Sequence, residues 1–114
     1  MSNVYDKAHE LAKVFKEGED FKQLKQLHEE VSSDPAAHNM LENFRKVQIE
    51  LQQKQMQGMQ ITEEEVTQAQ QQFELVQQHE VISKLMEAEQ RVSVLIGDLN
   101  QIITEPLEEL YGKE

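Results

Sequence analysis

The clearest pattern along the chain is one long apolar register near its end. Val81, Leu85, Ala88, Val92, Leu95, Leu99 and Ile102 recur at steps of four and three without a miss. A second column, Ile82, Ile96 and Ile103, runs beside it and widens the stripe to the width of a helix that buries one face in a bundle. Upstream, Val66, Ala69, Phe73 and Val76 step by three, four and three, but Val76 to Val81 is a step of five across Gln77, Gln78, His79 and Glu80. The stripe therefore changes direction there, through a break near His79 or a local change in winding. As one helix, residues 63–103 would span roughly 60 Å at 1.5 Å per residue, far beyond a compact domain of this length. The segment must fold back at 77–80 or share its overhang with a second copy, and the breadth of the 81–103 stripe favours a break and a homodimer together.

The remaining elements follow from caps and spacing. Asn3 is placed to cap a first helix with Val4, Ala8, Leu11 and Phe15 on one face, ending at Gly18. Asp20 is placed to cap a second, carrying Phe21, Leu24, Leu27 and Val31. Both are too short to be stable alone and must dock on longer partners. Asp34 followed by Pro35 starts a third helix, whose inner face reads Ala37, Met40 or Leu41, Phe44, Val47 and Leu51, with Gly58 positioned to end it in a left-handed conformation. Thr62 and Glu65 form a capping box, flanked by Ile61 and Val66 as a hydrophobic staple. Glu63, Glu64 and Glu65 complement the dipole of the helix that follows. Pro106 is expected to end the last helix near Thr104, leaving Leu107, Leu110 and Tyr111 as a short docked tail. No strand pattern occurs. The fold class read from the sequence is all-α: a single helical domain over residues 1–114, an antiparallel bundle of four to five helices with a long, interrupted C-terminal segment, completed by dimerisation.

Charge narrows the partners. The chain carries a net charge of -11. Residues 1–57 hold 8 Lys or Arg against 10 Asp or Glu, and residues 58–114 hold 3 against 12, so the balance falls from -2 to -9. The basic residues are interleaved with acids, which disfavours a nucleic-acid backbone as a direct ligand. Cysteine is absent, removing disulfides and thiolate ligands. The opening residues have no basic-then-apolar leader, and no apolar run is long enough to cross a membrane, so the cytoplasm is the expected compartment.

Candidate chemistry is sparse. His9, His28, His38 and His79 do not fall at ligand spacing, and no phosphate loop, nucleophile elbow or zinc-protease motif is present. No catalytic residue, cofactor or metal site is assigned. Glu89 shares the column of Ile82, Ile96 and Ile103, where an unpaired carboxylate is costly. It is read either as one half of an ion pair with Arg45, Lys46 or Arg91, or as an acid or oxygen ligand in a small-ligand or metal-binding bundle. Gly97, four residues after Ser93, makes a small patch that would admit a crossing helix or is simply exposed. The glutamines between Gln52 and Gln78 keep helical spacing and read as a solvated face, while Met56, Met59 and Ile61 form a corner suited to docking a protein partner.

The segment Leu51-Gln-Gln-Lys-Gln-Met-Gln-Gly58, the box Thr62-Glu-Glu-Glu65, the stretch Glu87-Ala-Glu-Gln-Arg-Val-Ser93 and the tail from Ile102 to Gly112 resemble the YheA-type branch of the YlbF/YmcA-like family, over nearly the whole chain. The resemblance implies a small, all-helical, cytoplasmic, commonly self-associated and non-enzymatic protein. It also implies kinship with relatives that adjust an endoribonuclease and influence competence, sporulation and biofilm formation. Their cysteine-bound iron-sulfur clusters have no counterpart in a chain without cysteine. The expectation carried forward is a homodimer that works by binding another, unknown protein; the rival is the ligand-binding bundle centred on Glu89.

Overall fold

In a computed structural model, residues 3–112 are described and fold into five helices: α1 (Val4–Glu17), α2 (Glu19–Ser32), α3 (Pro35–Met56), α4 (Glu63–Gln78) and α5 (Glu80–Tyr111). No strand occurs among the described residues, in keeping with the all-α expectation. The chain divides into two compact units. One comprises Gln26–Met86; the other comprises α1, the start of α2 and the part of α5 from Glu87 onward.

In the Gln26–Met86 unit, local chemistry fixes both ends of α3 and the start of α4. Asp34 Oδ1 accepts from the backbone N–H groups of Ala36 at 3.1 Å and Ala37 at 3.4 Å, and Pro35 occupies the first helical position. At the other end of α3, Gly58 adopts φ 73°, and the Met59 N–H reaches back to the Lys54 carbonyl at 2.8 Å while that of Gly58 reaches Gln55 at 3.2 Å. These two bonds form a Schellman stop, which needs a residue that tolerates positive φ. Four residues after Gly58 the capping box closes as the sequence predicts: Thr62 Oγ1 accepts from the Glu65 N–H, and Glu65 Oε1 accepts from the Thr62 N–H, each at 3.1 Å.

Helices α3 and α4 form an antiparallel hairpin. Lys54 pairs with Glu65 near the turn and the rings of Phe44 and Phe73 meet with centroids 5.9 Å apart further along, so numbers rise on one helix as they fall on the other. The core of this unit is Leu27, Val31, Ala37, Leu41, Phe44, Val76, Ile82 and Leu85, all buried. The staple is looser than expected. Ile61 is half-buried, but Val66 stays exposed.

The register slip at 77–80 is a true break. His79 leaves the helical region with φ -81° and ψ 116°, closing α4 through its N–H to the Val76 carbonyl. Its Nδ1 then accepts from the Ile82 N–H at 3.3 Å, so the same residue caps the start of α5. Nothing apolar lies between Val76 and Val81 to hold a continuous helix.

In the second unit, α1 runs antiparallel to α5. Val4 lies by Ile103 along one groove, Leu11 by Leu99, and Arg91 donates to Gln23 Oε1 at 2.8 Å on the first turns of α2. Asn3 Oδ1 caps α1 by accepting from the Asp6 N–H at 2.9 Å. Phe15 and Phe21 meet edge to face at 5.4 Å across the α1–α2 joint. Two expectations need correction here. Helix α2 starts at Glu19, with the Gly18 carbonyl accepting the first bond from Lys22, so Asp20 lies in the first turn and is not the cap. Helix α5 does not stop before Pro106 but runs through it to Tyr111, and Leu107, Leu110 and Tyr111 are exposed, not docked. A proline deprives only the carbonyl four residues back of its donor, and Ile102 is itself exposed, so water can satisfy that carbonyl.

Candidate functional site

The apolar stripe of α5 is covered at its start and bare at its end. Ile82, Leu85 and Ala88 are buried; Val81, Val92, Leu95 and Leu99 are half-buried; Ile96, Ile102 and Ile103 are exposed. The sequence expectation of a core-facing helix thus describes the first turns of α5. It does not describe the last four within one chain. Helix α1 repeats the pattern, since it buries no residue and leaves Val4, Tyr5, Leu11 and Val14 open.

These bare faces meet in a groove of about 710 Å³ between α1 and α5. Its walls are Val4, Ala8 and Leu11 on one side and Ile96, Leu99 and Ile103 on the other, with Asn3, Lys7 and Asn100 supplying the polar atoms. A smaller cleft of about 250 Å³, lined by Leu11, Val14, Phe15, Leu95 and Leu99, opens beside it. An amphipathic helix earns its stability by covering its apolar face. Here that cover is incomplete, and what the surface can do is bind something apolar.

Gly97 lies on the same part of α5, and a Cβ placed there would meet nothing within 4 Å. Among the described residues, no other helix comes within that distance of it. Glu89 is half-buried and is not left without a partner. Met56 and Met59 are exposed and Ile61 half-buried, which leaves the corner accessible. Among the described residues, no three His, Cys, Asp or Glu side chains converge to hold a metal ion. His9 and His28 are exposed, His38 lies 3.3 Å from Glu42 in an exposed pair, and His79 is the helix joint. No described helix is long and apolar enough to cross a membrane.

One electrostatic feature stands at the α3–α4 turn. The Lys54 ammonium group, and after it the Thr62 N–H, hold the Glu65 carboxyl below its usual range. Sequence reasoning found the Thr62–Glu65 box but not Lys54, whose distance along the chain hides a pairing that only the hairpin creates. It also missed the groove. The repeat of apolar residues in α1 and α5 was legible, but how little of each face its partner covers was not.

Comparison with known proteins places this fold. Residues 4–108 match the family described as "Control of competence regulator ComK, YlbF/YmcA". The chain is 73% identical over 112 residues to a UPF0342 protein of Alkalihalophilus pseudofirmus, covering 98% of this chain and 95% of the relative. It is 61% identical over 110 residues to the UPF0342 protein YheA of Bacillus subtilis, covering 96% and 94%. A solved structure of a DUF964 protein from Bacillus stearothermophilus superposes with a TM-score of 0.84 at 39% identity, over 95% of both chains. The chain belongs to the YlbF/YmcA family, within its UPF0342 branch.

Proposed function

We propose that this protein is a non-enzymatic, cytoplasmic regulatory protein that acts as a homodimer and works by binding another protein. The observation that carries the reading is the open apolar groove shared by α1 and the end of α5, walled by Val4, Ala8, Leu11, Ile96, Leu99 and Ile103. Contiguous exposed apolar surface of this kind marks an interaction site. A second copy covers the α1–α5 groove, and the exposed methionines Met56 and Met59 offer an adaptable surface to a different partner. The family description, control of a competence regulator, is consistent with a protein that acts on other proteins. The acidic second half of the chain makes direct binding to nucleic acid unfavourable.

A second reading draws on the groove itself. Its volume of about 710 Å³ is that of a small-ligand pocket, with Lys7 at its edge to meet an acidic group. Native mass spectrometry of freshly purified protein separates the two. The leading reading predicts dimers with no stoichiometric small molecule, whereas monomers carrying one bound molecule each would favour the ligand pocket and overturn it.

A further inference from the structure

The bare part of α5 is bare in an unusual way. With 3.6 residues per turn, Ile96, Ile103 and Leu110 form one column, Ser93, Asn100 and Leu107 a second, and Gly97, Thr104 and Tyr111 a third, together spanning an arc of about 140°. From Gln90 to Tyr111 no charged residue falls in these columns, although the chain carries a net charge of -11. The carboxylates Asp98, Glu105, Glu108 and Glu109 all lie outside the arc. Two copies of so acidic a chain repel each other unless they meet on such a face.

The centre of the uncharged run is Asn100. It carries the only carboxamide of the central column, and burying that group's two N–H donors and its carbonyl acceptor against an apolar partner would leave them unpaired. On a two-fold axis its amide meets its own copy, and both are satisfied. We propose, building on the homodimer reading, that α5 packs antiparallel against α5 of a second copy about a dyad at Asn100.

The residue types fit that alignment. Residues at equal distance from Asn100 face each other along the central column, so Leu107 lies over the small Ser93 of the second copy. Along one edge Ile103 meets Ile96 of the second copy. Along the other, Gly97 meets Thr104, and the space beside Gly97 is open in the single chain. The isoleucine edge is also the edge of the α1–α5 groove, so the two grooves merge and α1 of each copy closes a four-helix core. A parallel pairing would instead stack Leu107 on Leu107 and bring the Glu105, Glu108 and Glu109 clusters of both copies to the same end. Antiparallel pairing sends those clusters to opposite ends.

The natural absence of cysteine makes the test clean. Single-cysteine variants at exposed positions, Asn100→Cys, Ser93→Cys and Leu107→Cys, are purified, checked for helicity by circular dichroism, and oxidised. A disulfide requires Cα atoms within about 7 Å. The proposal predicts that Asn100→Cys links to itself, that Leu107→Cys alone does not, and that mixing Ser93→Cys with Leu107→Cys gives a linked heterodimer. Self-linking of Leu107→Cys would show a parallel pair and overturn the proposal. A dimeric mass by light scattering with none of these links would overturn it while leaving the homodimer intact. A monomeric mass for the unmodified chain would remove the homodimer reading and this inference with it.

Discussion

Ile82 and Ile103 are the same residue type in the same column of the same helix, separated by 21 positions, yet they are 0% and 66% exposed. Replacing each with alanine removes the same atoms from opposite environments. At Ile82 the change leaves a cavity in the Gln26–Met86 core, whose most deeply buried side chains are Ile82, Leu85 and Val76, and such truncations cost about 2–5 kcal/mol. At roughly 4 °C per kcal/mol, the midpoint of thermal unfolding falls by about 8–20 °C, independently of protein concentration. At Ile103 no cavity forms within the chain, so intrinsic stability changes by at most about 0.5 kcal/mol. The cost appears instead in association. If a second copy covers Ile103, losing its contact weakens the dimer by about 2 kcal/mol, roughly thirty-fold in Kd. The assay is chemical and thermal denaturation of both variants across a wide range of protein concentration. Equal losses at the two positions, or an Ile82→Ala cost below about 1 kcal/mol, would refute the division of α5 into a covered start and a bare end.

Other consequences test the local architecture. Thr62→Ala removes the α4 cap and should cost about 1 kcal/mol, read as a shift in the urea midpoint without a change in slope. Gly58→Ala forces a Cβ onto a residue at φ 73° and should cost about 1 kcal/mol even though the space around it is empty, measured in the same way. The lowered carboxyl of Glu65 adds stability above the ordinary glutamate range and loses it as pH falls through the lowered value, so wild-type and Glu65→Gln melting curves should converge toward acid pH. Curves that stay equally far apart from neutral to acid pH would contradict the Lys54 pairing. Pro106→Ala restores a helical donor and should raise amide-exchange protection in residues 102–110 without disturbing the core.

Much of this fold was legible because its boundaries are set by local chemistry. Asn3, Asp34–Pro35, Gly58 and Thr62–Glu65 each act within four residues of themselves, and each stands where the spacing placed it. The break at His79 was legible for the complementary reason: a five-residue step with no apolar residue offers nothing for a continuous helix to bury. Pro106 misled because proline ends a helix only when the lost bond is not replaced, and the exposure that allows water to replace it depends on tertiary structure. The groove was hidden for the same reason. A sequence shows which face of α5 is apolar, but the extent to which α1 covers it follows from the length of α1 and its docking position. Of the residues singled out in advance, Leu85 and Ala88 became core, Glu89 became a partnered boundary acid, and Ile102 became surface.

The most direct test of the account is the molar mass of the unmodified chain in solution, measured by sedimentation or light scattering over a dilution series. A second copy covering the α1–α5 face predicts about twice the chain mass of 13.3 kDa, falling toward the single-chain value on dilution or on Ile103→Asp substitution with helicity retained. A mass of 13.3 kDa at every concentration would contradict it.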